Sequence, residues 1–128
     1  MQIYGIGTDI VQCDRIARMW DEHGINFAKR ILTKHELAVL ATQKTKQAAF
    51  LAKRFAAKEA VAKALGTGFS GDVIITQVGI ETDAKGKPKI VFYGATKKYV
   101  ATLNISDIQI SISDEEAYVI AFVIIVSA

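Results

Sequence analysis

Arg54-Phe55-Ala56-Ala57-Lys58-Glu59-Ala60-Val61-Ala62-Lys63-Ala64-Leu65, followed by Gly66-Thr67-Gly68, is the stretch on which the reading of this 128-residue chain turns. Ala, Lys, Leu and Gln dominate from about residue 45 onward, and these side chains give up little freedom in a helix, whereas glycine ends one. A long helix over residues 45–65 is therefore expected. Upstream, Asp14 has the chemistry of an N-cap for a helix over 15–22, with Ile16, Met19 and Trp20 as its apolar stripe and Gly24 as its stop. Residues 27–32 extend the helical half. Thr33-Lys34-His35-Glu36 has the spacing of a capping box, which starts a further helix carrying Leu37 and Leu40.

Beyond Gly71 the pattern changes to β-branched runs. Residues 73–81 and 89–93 flank the turn Asp83-Ala84-Lys85-Gly86-Lys87-Pro88 and read as a hairpin. Residues 95–103 suggest one more helix. Ile108, Ile110 and Ile112 alternate with Gln109, Ser111 and Ser113 as a half-buried strand, and the last strand pairs with it through the turn Asp114-Glu115-Glu116. At the other end of the chain, Ile3, Ile6 and Ile10 with interleaved Gly5 and Gly7 suggest an opening strand that stops near Asp9. Helices early and antiparallel strands late indicate an α+β fold in a single domain over 1–128, with helices on one face of a curved, mainly antiparallel sheet. The last strand is apolar on both faces over 119–126. Either a subunit interface or a central strand of a monomer accounts for that.

Composition narrows the function classes. Half of the residues, 51%, are hydrophobic, which suffices for a core without disulfides or a structural metal. The one cysteine, Cys13, has no internal partner, so a reducing, cytoplasmic location and a buried, inert thiol are expected. The N-terminus lacks a basic segment followed by a long apolar run, so no targeting peptide is expected. The apolar run 118–126 is about half the ~20 residues of a membrane helix, and no membrane partner is anticipated. A net charge of +3 suits a polyanionic ligand or an acidic partner without requiring nucleic acid.

Several residues have chemical potential. Ala52, Ala56, Glu59, Lys63 and Gly66 share one helix face, small except for one acid and one base, against which a ligand or a second chain could lie. An ordinary surface ion pair between Glu59 and Lys63, worth ~0.3 kcal/mol, explains the same spacing. Asp9, among glycines and apolar neighbours, needs a cation or several donors to remain ionised, though it could also be a turn residue. Two carboxylates with cations nearby suit Mg²⁺, which is commonly held by one or two acids with phosphates and water completing its shell. Arg15 and Arg18 form a basic face on the first helix, either simply solvated or suited to an acidic partner.

Gly7-Thr8-Asp9-Ile10-Val11 followed by Arg15-Ile16, together with the run from Arg54 to Gly68, closely resembles the two signatures of the holo-acyl-carrier-protein synthase family. Phe27-Ala28-Lys29-Arg30-Ile31-Leu32-Thr33 with Glu36, then Gly86-Lys87-Pro88, and Ser111-Ile112-Ser113 resemble further blocks in the expected order. The likeness implies a phosphopantetheinyl transferase fold and the transfer of 4′-phosphopantetheine from coenzyme A to a serine of acyl carrier protein, in support of fatty acid biosynthesis. It implies that Asp9 and Glu59 bind Mg²⁺, which grips the diphosphate, and that Lys63 contacts the reacting phosphate. Arg54 would anchor phosphate groups of the cofactor, and Gly66 and Gly68, with Gly86, Lys87 and Pro88, would contribute to its binding. Lys58 is expected to be solvated. Arg15, Arg18 and Met19 would dock the acidic carrier protein, and the family's usual homotrimer would place active sites between subunits.

One departure stands out, because many members carry histidine after the Ser-Ile-Ser segment and this chain has Asp114. That acid could hold a metal-bound water or begin the turn to the last strand. Two other readings compete with the transferase. A nucleic-acid or polyphosphate binding module would use the lysines between Lys44 and Lys63, but the interleaved alanines lack the aromatics of single-strand platforms. An inactive relative is opposed by the presence of Asp9, Glu59 and Lys63 together.

Overall fold

The computed structural model describes residues 1–128, and the chain adopts the α+β class expected of it. Strand β1 (Gln2–Gln12) does not stop at Asp9 but runs on for three more residues into helix α1 (Cys13–His23). Asp9 lies within the strand, opposite Ala121. Gly5 and Gly7 do not end the strand because a helix packs against them, and tertiary contact overrides their weak strand preference. Nor does Asp14 cap α1: Gln12 occupies the cap position without a side-chain bond. The Cys13 N–H, which a cap would help to satisfy, donates instead to Ala117 O at 2.9 Å, and Asp14 becomes a first-turn acid.

Gly24, with φ of 55°, ends α1 and leads into helix α2 (Ile25–Ile31). The capping box forms as expected at the start of helix α3 (Lys34–Leu40). The Glu36 N–H donates to Thr33 Oγ1 at 3.1 Å, and the Thr33 N–H donates to Glu36 Oε1 at 2.9 Å. Helix α4 (Gln47–Leu65) follows and ends at left-handed Gly66.

The expected strand over 73–81 is shorter than its β-branched sequence suggested. A 3₁₀ turn (Ile75–Gln77) intervenes, and strand β2 (Val78–Thr82) starts only after it. Side chains from other elements hold this segment: the Thr96 hydroxyl accepts from the Ile74 N–H and donates to Asp72 O, and Lys58 is fully buried beneath the turn rather than solvated. Its ammonium donates to the carbonyls of Ile75, at 3.2 Å, and Val78, and pairs with Glu36 at 2.6 Å. Glu36 also accepts from the Ile80 N–H at 2.8 Å, so one buried carboxylate joins α3, α4 and β2. Burial pulls the Lys58 pKa down while the Glu36 charge pulls it back, the arrangement a buried cation needs.

Strand β3 (Pro88–Phe92) completes the hairpin, helix α5 (Gly94–Ala101) follows, and strands β4 (Ile105–Asp114) and β5 (Tyr118–Ser127) close the chain. The strands form two sheets instead of one. β1, β5 and β4 make an antiparallel sheet with β5 in the centre, and β2 pairs only with β3.

Helix α4 lies across the inner face of β1 and β5, against inward-pointing Val119, Ala121, Val123 and Ile125. On the outer face Ile3, Ile6 and Ile10 of β1 and Tyr118, Ile120 and Phe122 of β5 are exposed. The doubly apolar last strand is thus a central strand whose second face is uncovered in the single chain.

The contact between β1 and α4 is unusually close. A Cβ on Gly5 would lie 2.0 Å from Ala64 O, and one on Gly7 would lie 2.0 Å from Ala60 O. Backbone meets backbone there, which only glycine allows. Gly7→Ala is expected to lower unfolding free energy by about 1–3 kcal/mol or more, since a helix backbone cannot yield as a side chain does. Urea unfolding with an unchanged midpoint would show that the two backbones separate freely.

Candidate active site

Alternate residues of β1 share a face, and the row toward α4 runs Gly5, Gly7, Asp9, Val11. The two glycines bring the strand onto the helix, and Asp9 is the next residue in that row. Its carboxylate meets Lys63 of α4 at 3.2 Å, and the same ammonium donates to Thr8 O at 3.0 Å. The Asp9 side chain is only 17% exposed. Lys63 therefore bridges to a distant strand, which a simple surface pair with Glu59 would not require.

Glu59 lies one turn before Lys63 and is half-buried. Burial pushes its carboxyl above the usual range and the Asp9 charge adds to the shift, while Lys63 and Arg15 oppose it. Four charged groups from β1, α4 and α1 therefore feel one another at one place. Arg15, which the sequence reading assigned to partner docking alone, also belongs to the surroundings of Glu59.

Two hard oxygen donors whose mutual repulsion raises one pKa are a set that a dication would relieve, and the arrangement fits Mg²⁺. No cluster of three or more His, Cys, Asp and Glu residues is present. With two acids as the protein's share, ligand oxygens and water would supply the remaining positions.

The open stripe expected along α4 is not open. Ala52 and Ala56 are fully buried in the core, and Ala60 and Ala64 lie under the glycines of β1. The chain's own strand occupies the space that small residues leave, and only Glu59, Lys63 and Gly66 on that face reach the surface region. Gly66 and Gly68 turn the chain just after Lys63, with φ of 82° and 61°, and the Gly68 N–H donates back to Ala62 O at 3.2 Å.

Other predicted residues gather elsewhere. A cavity of about 390 Å³ is lined by Lys53, Arg54, Gly86, Pro88, Ser111 and Asp114, among others, and by none of Asp9, Glu59 and Lys63. Arg54 stacks over the Phe50 ring at 4.4 Å and approaches Glu36 at 3.6 Å, while its Nε has no hydrogen-bond partner. Burial lowers its pKa and Glu36 opposes that fall. Arg54 and Glu59, five positions apart on α4, point roughly 140° away from each other. Lys87 lines a neighbouring cavity with Asp83 and Lys89. Asp83 shapes that loop by accepting from the N–H groups of Lys85 and Lys87, at 2.8 and 2.9 Å.

Asp114 is the last residue of β4, and its carboxylate reaches Lys53 at 3.5 Å. It is therefore more than the first residue of a turn. Sequence reasoning missed Lys53, whose only signal was its place beside Arg54. Arg15 and Arg18 are exposed on α1, whereas Met19 is half-buried against the core and anchors the helix as well as forming part of its surface. Cys13 is half-buried, and burial with the charges of Asp114 and Asp14 pushes its thiol up, as suits an unreactive cysteine.

The raised pKa of Glu59 has a consequence for stability. The folded chain holds that proton more tightly than the unfolded chain, so folding stability declines as pH rises through the window from the ordinary carboxyl value to the raised one. Glu59→Gln removes the penalty. It is expected to raise the thermal midpoint of the metal-free protein at about pH 7 and to converge with the parent near pH 4, where the parent carboxyl is largely protonated. A variant less stable than the parent at neutral pH would show that Glu59 is held by favourable contacts instead.

Comparison with known proteins places this geometry in context. Residues 5–123 match the model of the 4′-phosphopantetheinyl transferase superfamily. A holo-[acyl-carrier-protein] synthase of Halorhodospira halophila is 46% identical over 125 residues, covering 98% of each chain. The crystal structure of holo-[acyl-carrier-protein] synthase from Neisseria meningitidis superposes with a TM-score of 0.93 at 48% identity, covering 98% of this chain and 100% of that one. A holo-(acyl-carrier-protein) synthase from Bacillus anthracis, solved in complex with CoA (3′,5′-ADP), superposes with a TM-score of 0.83 at 33% identity over the full length of both chains. The signatures around Asp9 and Glu59, the charged cluster they form and the match over nearly the whole length agree: the chain belongs to the 4′-phosphopantetheinyl transferase superfamily.

Proposed function

We infer that this chain transfers the 4′-phosphopantetheine group of coenzyme A to a serine of apo acyl carrier protein and releases adenosine 3′,5′-bisphosphate. The observation that carries the reading is the convergence of Asp9, Glu59 and Lys63 at the contact of β1 with α4. Family membership supplies the reaction class, and residues 1–128 act as one transferase domain.

In the reaction, a bond forms between the serine oxygen and the pantetheine phosphorus, and the bond to the bridging oxygen of the diphosphate breaks. Lys63 neutralises negative charge at the reacting phosphate. Asp9 and Glu59 would hold Mg²⁺, which would supply further charge neutralisation to the diphosphate. The serine proton must leave with the attack, and Glu59 is the candidate acceptor, directly or through water. Arg54, Gly86 and Pro88, with Lys87 in the adjoining loop, hold the phosphate groups and the nucleotide end of the cofactor. Gly66 and Gly68 allow its backbone-side approach.

Within one chain the Arg54 cavity and the Asp9–Glu59 cluster lie on different sides of α4. A homotrimer that pairs one group with the other group of a neighbouring copy completes the site, and the uncovered apolar face of β1 and β5 supplies surface for such assembly. Arg15 and Arg18 orient the acidic carrier protein toward Glu59, with Met19 beneath them. The enzyme works in the cytoplasm, in the supply of carrier protein for fatty acid biosynthesis. No helix is long and apolar enough to cross a membrane. The nucleic-acid reading is weakened, because Lys58 is fully buried against Glu36 and Lys53 pairs with Asp114.

Incubation with coenzyme A, Mg²⁺ and apo carrier protein is expected to add the mass of the phosphopantetheine arm, and Asp9→Asn or Glu59→Gln to slow that gain on the order of 10²-fold or more. Arg54→Ala should also be slow, yet co-assembled Arg54→Ala and Glu59→Gln chains should regain activity, since at equal mixing roughly a quarter of shared sites are intact. Absence of the mass gain with any divalent ion would reject the transferase. Absence of recovery on mixing would reject the shared site alone.

A further inference from the structure

A second cavity, of about 530 Å³, opens away from both groups described above. Its lining includes Lys29 at the end of α2, Lys34 and His35 at the start of α3, and an apolar part formed by Leu32, Leu37 and Tyr93. No acidic residue is in that lining. Lys29, Lys34 and His35 are exposed, whereas Leu32 is buried and Leu37 half-buried, so two ammonium groups and an imidazole border an apolar floor.

The chemistry of the floor is already settled by its own bonds. The capping box uses the Thr33 and Glu36 N–H groups, and the Tyr93 hydroxyl donates to Glu81, which holds its pKa up at about 12. Gln77 accepts from the Thr96 N–H at 3.0 Å. With the Thr33 and Glu36 N–H groups satisfied in the capping box, the basic side chains that an anion entering here would meet are Lys29, Lys34 and His35. The remaining wall combines the carbon of Leu32, Leu37 and the Tyr93 ring with the polar side chains of Thr76 and Gln77. The volume lies within the few hundred to about 1,000 Å³ usual for small-molecule sites.

We propose that this cavity is a binding site for an amphipathic anion, a single carboxylate on an apolar body. The carboxylate sits among Lys29, Lys34 and His35, and the body lies against Leu32, Leu37 and the Tyr93 ring. Thr76, also in the lining, belongs to the turn whose flanking carbonyls, Ile75 and Val78, hold Lys58. A ligand in the cavity thus touches the turn that anchors α4.

The proposal is independent of the transferase reading and is tested without an activity assay. Decanoate below its micellar concentration, titrated into the isotope-labelled protein, is expected to shift the NMR signals of Leu32, Leu37 and Thr76 saturably and to raise the thermal midpoint by mass action. The folded double variant Lys29→Glu/Lys34→Glu, verified by its spectrum, should bind at least 10-fold more weakly. Decylamine, with the same tail and the opposite charge, should leave those signals in place. Inorganic phosphate, a head without a tail, should bind more weakly than decanoate. Shifts centred on Ile120 and Phe122, an equal response to decylamine or to phosphate, full affinity in the double variant, or no saturable shift would each overturn the assignment.

Discussion

The rest of the molecule depends on a contact that contains almost no side chain. Gly5 and Gly7 let β1 lie directly on the backbone of α4 at Ala60 and Ala64, where an added Cβ would fall 2.0 Å from a carbonyl oxygen. Strand and helix each bring one acid to that seam. The next inward residue after Gly7 is Asp9, and the residue before Ala60 is Glu59. A wider separation, such as ordinary side chains would impose, would carry Asp9 away from both Lys63 and Glu59. The geometry of the charged cluster is therefore a consequence of packing, set by the small residues at the seam.

A second constraint sets what α4 packs against on its other side. Lys58 follows the helical repeat into the interior, where Glu36 and two carbonyls satisfy its ammonium. Removing water from both charges is expensive, and the compensation is that one carboxylate fixes the start of α3, the beginning of β2 and the middle of α4 at once. Lys58 and Glu59 are neighbours in sequence with opposite duties. One is buried to hold the helix in place, and the other is left half-buried at the rim beside Asp9 and Lys63.

Much of the fold could be read from local chemistry. The capping box at Thr33 and Glu36, the glycine stop at Gly66 and the alternation of Ile108, Ile110 and Ile112 are signals that neighbouring residues carry by themselves, and each element formed where expected. What failed involved partners far along the chain. Asp14 did not cap α1 because Ala117 O took the role, the strand expected from residue 73 gave way to a turn bonded by Thr96 and Lys58, and β1 ran on past Asp9, paired with β5. The same distinction holds for the site. Asp9, Glu59 and Lys63 were legible from their motifs, whereas the Lys53–Asp114 pair, the nearness of Arg15 to Glu59 and the separation of Arg54 from the acids exist only in the folded chain.

The central claim is that the β1–α4 seam makes one divalent-cation site from two acids far apart in sequence. Mn²⁺ added in small amounts to the labelled protein with coenzyme A tests it directly, because a paramagnetic ion broadens NMR signals near it. The account predicts that signals around residue 9 of β1 and residue 59 of α4 broaden together, and that Asp9→Asn abolishes both effects. Broadening at one of the two without the other, or centred on the exposed acids at Asp114, Glu115 and Glu116, would contradict it.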